Sequence, residues 1–320
     1  MRATFISALL LLTACASVGA TQPRSARPVS LPSGESGAAG SRAQPEALPP
    51  AARFSQAFEP TAGGRAPAPS AVVPTPDGGV VVALNFSGET RVERRHFRPA
   101  GGSDGVVVAF RPDGRVRWAR VIGGAGNDGV LALAVGEDGR VAAAGVISGS
   151  VELNRQLHTG GTRFFLATFD ADGAPAGFTQ ALSTSRGWSQ INDLSFTTSG
   201  DLVAVGSFNG QLDVAGAASF HTGYWNGFVA RFDGHGRFSK GARALQSRDA
   251  SLLRVAPTSD GGFVVAGRFR RRVRTGVGHH RGAGGDDTVL VRYDAEGEPV
   301  WSRSFGRSTD DVPHSLAVRD

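Results

Sequence analysis

Short apolar runs alternate with polar turn residues along most of the chain, and this pattern recurs at a fixed interval. Pairs of a polar residue followed by glycine occur at Asp77, Asp138, Ser199 and Asp260, a constant spacing of 61 residues. The same spacing separates the apolar residues Phe86, Ile147, Phe208 and Phe269. A third set, Phe110, Phe169, Phe232 and Tyr293, follows at intervals of 59, 63 and 61. The chain therefore contains four tandem units.

Each unit is predicted to contain four short strands. In the second unit, two apolar runs, Leu131–Val135 and Arg140–Ile147, flank an Asp-Gly turn, and the runs Phe164–Asp170 and Ala176–Leu182 flank another. Asp-Gly between apolar alternations indicates a hairpin, because glycine accepts the positive φ of a tight turn. The third run of every unit is apolar on both faces, which indicates a strand buried between stacked sheets. No amphipathic helical stretch of about ten residues interrupts the pattern.

Four antiparallel strands in about 60 residues is the size of one β-propeller blade. A β-helix would have shorter rungs, and an immunoglobulin-like array would need about 100 residues per unit. We therefore expect an all-β fold, a β-propeller of four-stranded blades over residues 71–320. Asp311–Asp320 repeats Asp128–Glu137, so four full units are followed by a partial fifth. We expect an incomplete propeller, in which Phe54–Phe58, which resembles a fourth strand, completes the last blade by strand exchange.

The residues that punctuate the units resemble a known repeat. Gly-Gly-Ala-Gly-Asn-Asp at 123–128 and Asp-Gly-Arg-Val-Arg-Trp at 113–118 look like the bacterial SBBP-type β-propeller repeats of secreted and envelope proteins. The resemblance is clearest in the first and fourth units. The second and third units depart from it, because Gly177 and Lys240 stand where the first unit has Trp118. The resemblance implies a propeller scaffold and no single activity.

The N-terminal part of the chain has a different composition. A basic Arg2 and an apolar run to Leu12 have the layout of a secretory signal that is too short to span a bilayer. Leu12-Thr13-Ala14-Cys15 resembles the lipobox of bacterial lipoproteins, and Cys15 is the only cysteine. The resemblance implies a signal peptide over residues 1–14, acylation of Cys15 by chains such as palmitate and, with Ala16 next, the outer membrane. The alternative is an ordinary signal peptide with a chance cysteine.

Residues 15–70 are rich in Pro, Ala, Ser and Gly and show no apolar period. Such a segment cannot bury enough apolar surface to offset the entropy of ordering, so we expect a disordered tether. A tether after a lipid anchor would hold the repeats away from the membrane.

The charge of the chain is informative only where arginines cluster. The formal net charge is +6, from 34 Lys plus Arg against 28 Asp plus Glu, and Lys240 is the only lysine. Such a bias is typical of GC-rich coding sequences. One predicted strand, however, carries alternating arginines that would share one face. These residues are Arg268, Arg270, Arg272 and Arg274.

With Arg281, this arginine face predicts a surface that attracts anionic polymers. The alternative is a solvated edge whose charges prevent aggregation. Nucleic acid is not the expected partner, because the cell envelope is the wrong compartment and no set of aromatic residues for base stacking interleaves the arginines.

Three other motifs favour structural explanations. Gly101-Gly-Ser103-Asp-Gly105 matches the nucleophile elbow, but it precedes a strand. Gly123–Val130 matches one calcium nonapeptide, which makes Asp128 a metal-ligand candidate, although such sites need tandem copies. Trp118 and Trp301 resemble the docking tryptophans of quinoprotein propellers, and we expect them to pack between blades instead. The sequence thus predicts no catalytic residue, no cofactor and no metal.

Together these patterns predict a lipid-anchored envelope protein whose non-catalytic propeller serves as a binding or scaffolding module. Its expected partners are the membrane, through the anchor, and an envelope protein or anionic polymer. Two alternatives stay open: a propeller enzyme of the lyase or glycosidase type, which needs acidic residues that converge at loop tips, and a purely structural envelope component.

Overall fold

The computed structural model describes residues 59–60, 67–153, 156–158, 163–183, 187–214 and 218–319. Within these ranges the chain has 21 strands and no helix, and the strands form five antiparallel sheets. The predicted signal peptide, Cys15 and Phe54–Phe58 lie outside the described residues. In the described ranges no helix is long and apolar enough to cross a membrane.

Unit 1 is a four-stranded meander with a small sheet beside it. Its strands, in chain order after β1 (Glu59–Pro60), are β2 (Ala68–Pro74), β3 (Val80–Phe86), β4 (Thr90–Val92), β5 (Arg95–Phe97), β6 (Asp104–Phe110) and β7 (Val116–Ile122). Strands β2, β3, β6 and β7 pair in that order, and β1, β4 and β5 form a separate three-stranded sheet. Strand β1 and the start of β2 therefore lie within residues 15–70, the segment predicted to be a disordered tether.

Units 2 and 3 are joined into one eight-stranded sheet. Unit 2 contains β8 (Gly129–Val135), β9 (Val141–Ile147), the short pair β10 (Val151–Leu153) and β11 (Gln156–His158), β12 (Arg163–Phe169) and β13 (Pro175–Ser183). Unit 3 contains β14 (Trp188–Phe196), β15 (Leu202–Val214), β16 (Ala218–Phe232) and β17 (Phe238–Leu245). The far end of the long strand β15 pairs with β13, and this contact links the two units.

Unit 4 is again a separate four-stranded sheet. Its strands are β18 (Ala250–Pro257), β19 (Phe263–Arg274), β20 (His279–Tyr293) and β21 (Pro299–Phe305), which pair in that order. The prediction of four antiparallel strands per unit is confirmed. Residues 311–319, the predicted first strand of a fifth unit, are not a regular strand. They lie along unit 4, where Thr288 donates a hydrogen bond to the carbonyl of Asp311 (2.7 Å).

The repeated glycines are required by the turns. Gly78, Gly139, Gly200 and Gly261 have φ values between 80° and 87°, a conformation that glycine adopts without a steric penalty. In the first of these turns, Thr75 and the backbone N–H of Gly79 donate hydrogen bonds to Asp77. The sequence signal of an acidic residue followed by glycine therefore has a local physical cause.

Each unit also contains two bulges at equivalent positions. The ladder between its first two strands slips at Ser70, Leu131, Asn192 and Leu253, again 61 residues apart. The ladder between its last two strands slips beside Phe110, Phe169, Phe232 and Tyr293. These four rings are at most 3% exposed. The third set of sequence anchors therefore marks buried rings at a repeated twist of the sheet.

The hydrophobic cores lie between successive units. One buried cluster joins units 1 and 2, a second joins units 2 and 3, and a third joins units 3 and 4. A fourth covers the other face of unit 1, beside β4 and β5. The units thus stack face to face, which explains why the third strand of each is apolar on both faces. Among the described residues, no strand pairing joins unit 4 to unit 1.

Candidate functional site

The predicted arginine face lies on β19, where a bulge divides it in two. The ladder between β19 and β20 slips between Arg270 and Arg272. The intervening Arg271 has a φ of 64°, whereas Gly149 and Gly210 occupy its place in units 2 and 3 with φ values of 90° and 74°. A left-handed backbone costs a residue with a Cβ about 1 kcal/mol or more. Arg271 is therefore a strained residue at a glycine position.

The first two arginines of the face are paired with carboxylates. Arg268 Nη1 lies 3.0 Å from Asp286 Oδ1 and 3.1 Å from Asp249 Oδ1. Arg270 Nε lies 2.8 Å from the same oxygen of Asp286, and the hydrogen bond to this carboxylate raises the pKa of the Arg270 guanidinium. These contacts hold the connection between β17 and β18 against β19. Arg268 and Arg270 thus act within the fold.

The other two arginines line a groove between two walls. Arg272 and Arg274 are exposed on one wall, with Arg281 and His279 opposite them in the ladder. The second wall is the connection from β17 to β18, held by two backbone hydrogen bonds of 2.9 Å between Gln246 and Arg274. The groove holds about 640 Å³. Its lining is Gln246, Ser247, Arg248, Arg272, Val273, Arg274, His279, His280 and Arg281.

A second cavity of about 420 Å³ adjoins the groove and shares Arg248 and Arg272 with it. Its remaining lining residues are Asp249, Arg270 and Arg271. Asp249 is the one acidic residue in the lining of either cavity, and its carboxylate faces Arg268 and Arg270.

The remaining cations of this region have no counterion among the described residues. Within the described part of the chain no ion pair involves Arg248, Arg271, Arg272, Arg274 or Arg281. The guanidinium of Arg248 lies over the ring of Tyr224, 5.6 Å from its centroid, which orients it by a cation–π contact. Ser247 Oγ donates a 2.8 Å hydrogen bond to the carbonyl of Arg272 and ties the walls together. The five arginines, named here the cationic groove set, create a strongly positive site on braced elements.

His280 adds a titratable group to the groove. Its Nε2 lies 2.7 Å from Ser302 Oγ, and burial together with the neighbouring His279 lowers the pKa of His280 below the ordinary 6.5. The imidazole is therefore neutral at neutral pH and gains its charge only in acid.

The calcium candidate Asp128 is engaged by backbone donors. It is 3% exposed, its Oδ1 accepts from Ser148 N and its Oδ2 from Gly124 N, both at 2.6 Å. The loop around it is a junction between units 1 and 2, where Ser103 Oγ donates to the carbonyl of Asp128. In the ranges that the structure describes, no three His, Cys, Asp or Glu side chains are grouped to hold a metal. The geometry favours a structural role for both Asp128 and Ser103.

Two equivalent buried carboxylates were not anticipated. Asp104 of unit 1 and Asp287 of unit 4 are at most 2% exposed, and one carboxylate oxygen of each has no hydrogen-bond partner among the described residues. Burial raises the pKa of Asp104. The matching residue of unit 3, Asn226, is also buried but bonds Ser247 through its amide. Both carboxylates lie at the junction with the following segment, so they do not add to the cationic groove set.

Sequence reasoning also missed Arg248 and the second wall. Arg248 lies in a connection with no periodic pattern, and only the tertiary fold brings it beside Arg272. The sequence does indicate that the backbone at Arg271 is unusual, because units 2 and 3 have glycine at the equivalent position.

Comparison with known proteins adds little to this picture. No family model matches the chain, and no curated protein matches it. Solved structures similar to it include a protein of unknown function from Bacteroides caccae, with 11% identity over 62% of this chain and 90% of that chain, at a TM-score of 0.24. A likeness at that TM-score supports no statement about fold or function. The resemblance to SBBP-type repeats therefore stays a hypothesis.

Proposed function

We propose that this protein is a non-catalytic binding module of the bacterial cell envelope, in which SBBP-type propeller units hold an anionic polymer in the groove of unit 4. Acylation at Cys15 and the tether would keep the module at the outer membrane. The stack of four-stranded units with cores between them supports a propeller-like scaffold, and the groove supports the ligand class.

The observation that carries this proposal is the cationic groove set, which has no ion pair with the described residues. Guanidinium groups that converge repel one another, and carboxylate or phosphate groups relieve that repulsion with bidentate hydrogen bonds. Arg272 and Arg274 are two residues apart on one strand, or about 7 Å. This spacing suits a ligand with repeated charges better than a single small ion.

The strain at Arg271 also favours a binding role. Strained backbone persists mostly where function retains it, and a glycine at this position would relieve the strain.

A catalytic role has less support, since turn carboxylates such as Asp138 and Asp260 form ion pairs with Arg140 and Arg292.

Binding of polygalacturonate, a carboxylate polymer, tests the proposal. We expect the wild-type chain to bind it at low ionic strength, and Arg272→Ser/Arg274→Ser to bind at least about a hundredfold more weakly, because two charge-assisted hydrogen bonds of about 1.5–3 kcal/mol each are lost. Isothermal titration calorimetry measures the change. Arg111→Ser/Arg303→Ser is the matched control. Both arginines are exposed and lie outside the groove, and their replacement removes the same charge as Arg272→Ser/Arg274→Ser.

Equal losses in the two double variants would show attraction by net charge alone and would contradict a groove site. If the wild-type chain binds neither polygalacturonate nor polyphosphate, the purely structural alternative is favoured. Dextran, a neutral polymer, should not bind.

A further inference from the structure

An exposed aromatic side chain, Tyr224 of β16, lies at the edge of the cationic groove. The residue is 51% exposed, and the guanidinium of Arg248 lies 5.6 Å from the centroid of its ring. Arg248 also belongs to the lining of both cavities of the groove. One cation therefore connects the tyrosine ring to the anion site, while about half of the residue stays accessible to a ligand.

Tyr224 and Arg248 both occupy positions that are glycine in other units. Tyr224 precedes the third sequence anchor of its unit by eight residues, and Arg248 lies in the connection between two units. The equivalent residues are Gly102, Gly161 and Gly285 for Tyr224, and Gly126 and Gly187 for Arg248. Between units 1 and 2 the two glycine positions are in direct contact, since Gly102 N donates a 2.8 Å hydrogen bond to the carbonyl of Gly126.

The glycine junctions have no room for a side chain at this point. A Cβ on Gly102 would collide with Asn127 Oδ1, and a Cβ on Gly285 would collide with Asp310 Oδ1. The junction between units 3 and 4 instead carries a ring and a cation at the matching place. Packing within the repeat does not require this pair, because other junctions form without it.

The tyrosine is held in a defined position. Tyr224 lies in the bulge of the β15–β16 ladder, and its N–H donates a 3.2 Å hydrogen bond to Thr222 Oγ1. The amide of the buried Asn226 donates to the carbonyl of Tyr224 (3.1 Å) and accepts from Ser247 N (3.1 Å). A single side chain thus fixes the tyrosine relative to the wall of the groove. A carboxylate, which units 1 and 4 have at this position, lacks the N–H groups that donate here.

A tyrosine ring beside arginines matches a ligand with two kinds of surface. The face of an aromatic ring is weakly negative, so it attracts C–H groups, which carry a small positive charge. A sugar ring presents such C–H groups on a flat face, and a uronic acid adds a carboxylate that guanidinium groups bind. Polyphosphate offers the negative charges but has no flat apolar face.

We infer that the anionic polymer held by the groove is a polysaccharide of uronic acids, and that one of its sugar rings stacks on Tyr224. Carboxylates of the neighbouring sugars bind the cationic groove set, with Arg248 between the ring and the groove. The inference rests on the proposed function of the groove, to which it adds a ligand class and a contact residue.

Single-stranded nucleic acid fits this arrangement less well. Proteins that bind it stack successive bases on several aromatic side chains. Among the described residues, no Phe, Tyr or Trp belongs to the lining of either cavity, so Tyr224 is the single such ring that contacts the groove set.

Replacing Tyr224 and comparing two polymers tests the inference. We expect Tyr224→Ala to bind polygalacturonate about threefold to tenfold more weakly than wild type, because the stacking contact is lost. Polyphosphate should bind with less than about a twofold change, because the arginines remain. Tyr224→Phe keeps the ring and should bind both polymers as wild type does. Isothermal titration calorimetry measures all of these affinities.

Trp188→Ala is the control for loss of an exposed ring, because Trp188 is 59% exposed and lies outside the groove. It should bind both polymers normally, and a loss of polygalacturonate binding equal to that of Tyr224→Ala would contradict a specific platform. Equal losses for the two polymers in Tyr224→Ala would overturn the inference, since the ring would then act only by orienting Arg248.

Other outcomes separate this inference from the proposed function. If Tyr224→Ala binds polygalacturonate as wild type does, or if wild type binds polyphosphate alone, the anion groove stands and the sugar platform is wrong. The platform is also wrong if single-stranded DNA binds more tightly than polygalacturonate and depends on Tyr224. If wild type binds neither polymer, the proposed function and this inference both fail.

Discussion

Arg271 shows at the scale of one residue how the groove departs from the rest of the fold. It adopts a φ of 64° beside Arg272, which lines the groove, at a position that Gly149 and Gly210 occupy in units 2 and 3. The chain therefore has a cation where the backbone favours glycine, which costs about 1 kcal/mol of conformational strain. Arg271 forms no ion pair in the described part of the chain.

Replacing Arg271 by glycine separates stability from binding. We expect Arg271→Gly to raise the free energy of unfolding by about 1 kcal/mol, because the strain is removed, and to weaken polygalacturonate binding severalfold, because a groove cation is lost. Urea unfolding and calorimetric titration measure the two effects. Gly149→Ala, at the matching turn of unit 2, should lower stability. A variant that is less stable than wild type, or that binds equally well, would contradict this account.

At the scale of elements, the hairpin of β19 and β20 carries the groove because its ladder continues past the bulge, to the pair of Arg274 with His279. This extension places His280 against Ser302, so the groove includes a group that titrates below the ordinary histidine range.

Binding should therefore depend on pH. Because the pKa of His280 is lowered, the imidazole is neutral above about pH 6.5 and adds a positive charge only below it. We expect the affinity for polygalacturonate to rise as the pH falls below about 6.5, over the range in which its carboxylates stay ionised. His280→Ala should flatten this rise, and His221→Ala, an exposed residue outside the groove, should not. An unchanged pH profile in His280→Ala would contradict the assignment.

The elements differ in how far the sequence predicted them. Turn glycines and alternating apolar residues are local signals, so the four strands of each unit and their buried anchors, such as Phe208 and Phe269, could be predicted. The bulges at Ser70 and its equivalents could not, because a register slip changes pairing without changing composition. The join of β13 to β15 and the wall at Arg248 depend on contacts between distant segments. The alternation of arginines predicted a cationic strand, but only the fold shows that Asp249 and Asp286 pair with two of its four arginines.

At the scale of the whole molecule, stability resides in the junctions. Every large buried cluster of the described residues except the one on the outer face of unit 1 is shared by two successive units, so units 2, 3 and 4 have no buried cluster of their own. Such a stack is rigid where units meet and leaves loops and extended hairpins free to carry function. The groove on unit 4 is a surface of this kind.

Hydrogen–deuterium exchange with and without polygalacturonate tests the central claim most directly, because it locates the polymer on the chain. We predict slower exchange in two segments that are distant in sequence, the wall at 246–249 and the hairpin at 270–281. We predict little change in units 1 and 2. Protection that is confined to other segments, or spread evenly over all exposed arginines, would contradict a binding site in the cationic groove.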